Sequence, residues 1–351
     1  MPTPLSLQLA ERQITLDSLV QATKLTKGRA SDLMAGAAPT IDEVRSIANA
    51  FGFNVRFLIT GAPASKQVEG NLRQNFGVRD DLRSEEVNEI ILQAEEISTI
   101  LPAAQGPKFR ISLGSARGVE DAESLAHFCR TVILELESDE PTQDLEQIIG
   151  LRTGIITIVK NIRSVEGSAL SVMGHDFIFV ARRGGSRMRF TLAHELCHCL
   201  VDLKDDSGWF DEDVVSLKGD AINVERFANA FAGALLMPAS ATAAALKVFR
   251  KRNNATSDSI SDLEVAFLAR FFDVNFQVAA RRCEELRLIP HGGSNALYRS
   301  VISRYKSPEE LADRIGVPRR PSYSWSFGTE KVIAAAREQV ISGSISVGRL
   351  S

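Results

Sequence analysis

The sequence predicts an α+β protein: an all-α N-terminal block, then a larger domain with a small antiparallel sheet among helices, then a helical C-terminal region. Three observations predict it. Short helical patterns with polar cap residues fill the first 61 positions. Two alternating apolar stretches, GIITIVKNI (Gly154–Ile162) and SALSVMGHDFIFVAR (Ser168–Arg182), read as strands, the second broken into a hairpin at Gly174-His175-Asp176. Helical periodicity dominates from Arg189 onward.

A chain of 351 residues, 44% hydrophobic and 24% charged, has material for two or three domains with real cores. The net charge of −3 excludes a chain that binds nucleic acid over its whole surface, so any such contact is local. The opening MPTPLSLQLAERQ lacks the basic and apolar regions of a secretion signal. No apolar run approaches the roughly 18 residues that span a bilayer. Cys197 and Cys199 are too close to pair, and no CxxC spacing links them to Cys129 or Cys283. Reduced thiols in a bacterial-type cytoplasm, with no membrane contact, are the expectation.

Residues 1–61 form the first block, and 62–118 hold a linker, APASKQVEG (Ala62–Gly70), and a connector helix near Arg79–Leu101. Val87, Ile90, Ile91, Ala94, Ile97 and Leu101 share one face of that helix, which suits packing or a homodimer. The main domain is expected at 119–290, opening with helices near Ala122–Glu137 and Thr142–Leu151. A helical tail takes 291–351.

In the first block Leu16, Leu19, Val20 and Leu25 suit a helix and a tight turn. Thr26 caps a second helix, Lys27–Met34, which Gly36 ends; Thr40 caps a third, Ile41–Phe51. Helix, short turn and helix is the arrangement that lays a second helix in the major groove. This order and spacing resemble the XRE-type (lambda-repressor-like) helix-turn-helix family over residues 5–61. The resemblance makes Lys27–Met34 the recognition helix, with Lys24, Lys27, Arg29 and Ser31 placed to touch phosphates or bases. The block has an excess of only one basic side chain over residues 1–62, and Asp32 repels phosphate, so a protein-docking module stays open as the other reading.

The chemistry concentrates in RFTLAHELCHCLVDL (Arg189–Leu203), which holds two of only five histidines. His194-Glu195-Leu196-Cys197-His198 is HExxH. Four residues apart on a helix, both imidazoles reach one metal ion, and the glutamate between them can take a proton from a metal-activated water. At about 100° per residue, with Phe190 at zero, His194, His198, Asp202 and Glu195 fall at about 40°, 80°, 120° and 140°, while the apolar residues take the other side. A zinc ion of this kind needs a third protein ligand. Glu225 is the best one, at the start of a helical stretch, Asn223–Leu236, stopped at Pro238; Ala228 and Ala232 on its face would allow close approach to another helix. Cys197 falls in the apolar arc. Cys199 lies at the border of the polar face, a candidate redox sensor or inhibitory ligand.

RFTLAHELCHCLVD followed by VERFANAFAGALLMP resembles the ImmA/IrrE family of zinc metallopeptidases, over roughly Val119–Pro290. The resemblance implies a zincin-like metallopeptidase domain with one Zn2+ per chain. It makes His194, His198 and Glu225 the ligands, Glu195 the catalytic base and Asn229 a support for the ligands; Asp202 suits a hydrogen bond to a ligating imidazole. Leu263–Ile289 is similar to the second helix-turn-helix-like element that follows the peptidase core in this family. RRPSYSW and SGSISVGRL are similar to the C-terminal region of helix-turn-helix–peptidase fusions. The family cleaves helix-turn-helix repressors under DNA damage, stress or activation of mobile elements. The expected activity is therefore zinc endopeptidase action on such a repressor, or on the chain itself, coupled to transcription. Phe177–Arg182 would be an edge strand that pairs with the substrate, and His175 a candidate oxyanion partner. The other readings are a DNA-binding regulator whose peptidase fold only senses, and an antitoxin-like docking protein.

Overall fold

The computed structural model describes residues 3–12, 14–51, 58, 81–102, 109–113, 118–136, 141–163, 165–203, 207–210, 220–255, 257, 259–319 and 325–342. The linker read at 62–70 lies outside them, as do most of RRPSYSW (319–325) and of SGSISVGRL (342–350). The chain divides into two compact units, Met1–Glu95 and Glu96–Ser351.

The first unit contains α1 (Pro4–Glu11), α2 (Leu16–Ala22), α3 (Lys27–Met34) and α4 (Ile41–Phe51). Threonine starts each of them. The Oγ1 atoms of Thr3, Thr15 and Thr26 accept from the backbone N–H three residues on, and Thr40 does the same for Glu43 while Glu43 accepts from the Thr40 N–H. Such caps each contribute about 1 kcal/mol. Gly36 adopts φ 103°, which a side chain would oppose, and stops α3. Leu5, Leu9, Leu19, Ala30, Leu33, Val44 and Ile47 close a small core. The bounds of α3 and α4 coincide with those read from the sequence. The connector helix α5 (Asp81–Ile100) runs across the division between units, with Val87, Ile90, Ala94 and Ile97 buried.

The second unit opens with α6 (Val119–Phe128), continued by a π turn at Cys129–Ile133, and α7 (Leu145–Thr153). Strands β1 (Ile156–Lys160), β2 (Gly167–Val172) and β3 (His175–Ala181) lead to α8 (Gly185–Val201), β4 (Ser207–Phe210) and α9 (Asp220–Leu236). The remaining helices are α10 (Ala239–Asn253), α11 (Asp262–Phe271), α12 (Phe276–Glu285), α13 (Gly293–Tyr305), α14 (Pro308–Arg314) and α15 (Phe327–Ile341).

The four strands form one sheet in the order β1-β3-β2-β4. The β2–β3 hairpin closes over Met173 and Gly174, at φ 49° and 84°; two positive φ values give the turn whose twist matches its strands. Two expectations are corrected. The sheet is mixed, because β1 lies beside β3 and parallel to it, with Ile156 opposite Phe177. For the same reason β3, which carries most of Phe177–Arg182, is an interior strand with both edges already paired; the edges of the sheet are β1 and β4. Alternation in a sequence marks a strand but does not name its neighbour.

Ala169, Ile178 and Val180 pack under Leu192 and Leu196 of α8. Ile158, Leu170, Phe177 and Phe179, on the other face, are buried too. Buried arginines tie the helices to one another. Arg130 donates to the carbonyl of Leu235 at 2.7 Å, Arg189 to that of Thr142 at 2.6 Å, and Arg282 to that of Met237 at 2.8 Å. Each also meets a side-chain partner: Thr142, Asp273 and Glu123 respectively, as buried charge requires. Helices α11 and α12 do form a helix–turn–helix pair, capped by Ser261 and Asn275. Ala279, Ala280 and Cys283 of α12 are buried in the unit's core, and α13 packs against it. Among the described residues no single helix is long and apolar enough to cross a membrane.

Candidate metal centre

Helix α8 starts at Gly185 after an extended Gly184 and runs for 17 residues before Asp202 closes it. Its apolar side is anchored in the core, which fixes the direction of its polar side. Helix α9 packs across α8, and Ala228 and Ala232 are fully buried, so their small size allows the approach. That approach carries Glu225 inward. A carboxylate near a helix start is ordinarily solvated, but Glu225 is only 1% exposed.

Three ligand-type groups converge. Nε2 of His194 lies 3.0 Å from Nε2 of His198 and 3.1 Å from Oε2 of Glu225, and Nε2 of His198 lies 3.7 Å from Oε1 of Glu225. One ligand atom from each residue lies within 4.8 Å of the others. Tetrahedral zinc with bonds of about 2.0–2.1 Å sets its ligand atoms roughly 3.3 Å apart, so the spacing suits that ion.

The outer ring nitrogens fix the protons. Nδ1 of His194 donates to Oδ1 of Asn229 at 3.2 Å, and Nδ1 of His198 donates to Oδ2 of Asp202 at 2.8 Å. Both partners are acceptors, so the Nδ1 atoms hold the protons and both Nε2 atoms present lone pairs. Burial holds the His198 imidazole below its ordinary pKa, against the opposing pull of Asp202, and so favours the neutral ring. Two lone pairs and a buried carboxylate facing one another repel unless a cation lies between them. The donor set therefore fits a divalent metal.

Glu195 is wholly buried, with its side chain against the first residue of β2. Asp202 and Asn229 stand behind the imidazoles, each against a ring Nδ1. Cys199, read at the border of the polar face, belongs to the hydrophobic core cluster. It is fully buried, and burial pushes its thiol well above the ordinary value, with Asp176 and Glu195 adding to the rise. A redox sensor needs an accessible thiolate, and Cys199 offers neither access nor charge. His175 opens β3 opposite Val172, its ring 6.4 Å from that of Phe177.

Arg110, within the 62–118 segment, was not among the residues singled out in the sequence. Its guanidinium holds both carboxylate oxygens of Asp176, at 2.7 and 2.9 Å, and donates to the Cys199 carbonyl at 3.0 Å. Next to it, the Ile111 N–H donates to the Leu200 carbonyl. These bonds satisfy carbonyls of the last turn of α8, the turn that carries His198. No local pattern signals such a partner.

In the first unit Lys24, Lys27 and Ser31 are exposed, and Lys27 lies 3.6 Å from Asp17. Arg29 grips Glu43 of α4 through two bonds, at 2.7 and 2.8 Å, and donates to the Ala38 carbonyl, so it joins α3 to α4.

No curated protein matches the chain. Residues 153–284, from the end of α7 to the last turn of α12, match the Peptidase_M78 family model, the IrrE N-terminal-like domain, and this part of the chain carries a metallopeptidase-type domain.

Proposed function

We propose that the protein is a zinc-dependent endopeptidase that acts on a helix-turn-helix repressor, or on itself, and so couples proteolysis to transcription. The observation that carries this reading is the convergence of the two Nε2 atoms and Glu225, with both Nδ1 protons held by Asn229 and Asp202. Zinc bound there supplies Lewis acidity toward the scissile carbonyl. His194, His198 and Glu225 would hold it. A Glu195 carboxylate oxygen takes a proton from the attacking water and passes it to the nitrogen of the leaving amine. Asp202 and Asn229 keep the imidazoles in the ligating tautomer.

Metal analysis of the purified protein, then of Glu195→Gln, tests this. The variant retains near-stoichiometric zinc and loses cleavage by at least about a hundredfold. Absence of zinc from the wild type sinks the site; undiminished derepression by the variant favours a sensor that does not cleave.

One observation bears on the first unit. Arg29, the arginine of α3, is engaged by Glu43. This favours a protein-docking module over a DNA reader. Fragment binding to DNA with the steep salt dependence of phosphate contacts would restore the DNA reading.

A further inference from the structure

Glycine stands at the start of β2 although nothing in its backbone demands it. Gly167 pairs with Val180 in a regular antiparallel ladder and is absent from the positive-φ positions of the chain. Glycine weakens a strand, so its presence in one points to a close approach. The approach is to α8. A Cβ on Gly167 would lie 2.5 Å from Oε1 of Glu195, 2.8 Å from its Cγ and 2.6 Å from Cγ2 of Thr191. Thr191 and Glu195 are one helical turn apart, on the side of α8 that faces this strand. The Glu195 side chain thus lies between its own helix and the bare backbone of β2. Its Cγ, at 2.8 Å, is also inside contact distance, so rotating the carboxylate alone does not relieve the crowding. None of the three nearest atoms belongs to His194 or His198.

We propose that Gly167 is a positioning residue for Glu195: the missing side chain lets the β2 backbone wall in the carboxylate and fix it beside the metal ligands. This rests on the reading of Glu195 as the base. A methyl group at 167 displaces the base and leaves the ligands in place.

The test uses the full chain and the variants Gly167→Ala, Glu195→Ala and both together. In metal-free protein, Gly167→Ala lowers the melting temperature by roughly 5 °C in the wild type and by clearly less in Glu195→Ala, where two of the three crowded atoms are gone. Zinc-loaded Gly167→Ala binds zinc within about threefold of wild type, and its crystal structure shows the Glu195 carboxylate moved by about 1 Å with both imidazoles unmoved. Cleavage of a random peptide library falls by about a hundredfold in kcat with little change in KM. Equal melting losses in both backgrounds, or an unmoved carboxylate, overturn the proposal. A wild type that holds zinc and cleaves nothing, while the melting losses differ, overturns the peptidase reading and leaves the seat of Glu195 standing.

Discussion

Asp202 shows how much one side chain contributes from behind a ligand. Its carboxylate fixes the His198 proton on Nδ1 and so the lone pair on Nε2. Asp202→Asn, free to rotate and to offer an N–H, should weaken zinc affinity by about 10–100-fold, read by competition with a chromogenic chelator. Glu43 has a different part. Arg29 bonded to it holds its carboxyl down to about 2 from the ordinary range, helped by the Thr40 backbone N–H. The folded state thus binds a proton less readily than the unfolded chain. The stabilisation is complete above the ordinary carboxylate pKa of about 4.3 and is lost as pH falls from about 5 towards 2. Thermal unfolding of residues 1–95 between pH 2 and 6 should show this slope, and Glu43→Gln should flatten it. Only part of this was legible. HExxH and the phase of α9 named His194, His198 and Glu225 because their spacing is local to helices. The bond from Arg29 to Glu43 was not legible, because Glu43 lies on another helix and nothing in α3 announces it.

At the scale of elements, the end of α8 is held by a strap that is not itself helix or strand. Arg110 joins the Cys199 carbonyl to Asp176 of β3, so helix end and strand start are clamped together. The Asp176 side chain is nearly buried, so removing the guanidinium strands a charge in a dry place. Arg110→Met should cost about 3 kcal/mol in chemical denaturation and weaken zinc binding through the loosened last turn of α8. Adding Asp176→Asn should recover part of that loss; no recovery would show that the strap acts through packing alone. The hairpin of β2 and β3 could be read from alternation broken at Gly174-His175-Asp176, although the turn itself is Met173-Gly174 and His175 and Asp176 already belong to β3. That β1 docks beside β3 and takes away its open edge could not. Strand order is set by which faces must be buried together.

For the whole molecule, a ligand that binds only the folded state adds stability by mass action. Zinc at a thousandfold excess over its dissociation constant should add about 4 kcal/mol, so stripping it with a chelator should lower the melting temperature by several degrees. Zinc, but not magnesium, should restore it, because two imidazoles and a single carboxylate suit the softer ion. Equal recovery with magnesium would argue against the donor set as a zinc site.

The sequence by itself determined α2, α3 and α4 of the first unit but not α1, and the amphipathic α8, its HExxH face and the inward side of α9. Each is written in the spacing of residues a few positions apart, where caps, turns and periodicity act. The tertiary structure alone decided that Glu225 is buried against the imidazoles, that Arg29 serves α4, that β3 is interior and that Cys199 is sealed in the core. It also decided that Gly167 meets Glu195. These are contacts between segments distant in sequence, fixed by what must be packed against what, and no local pattern records the partner.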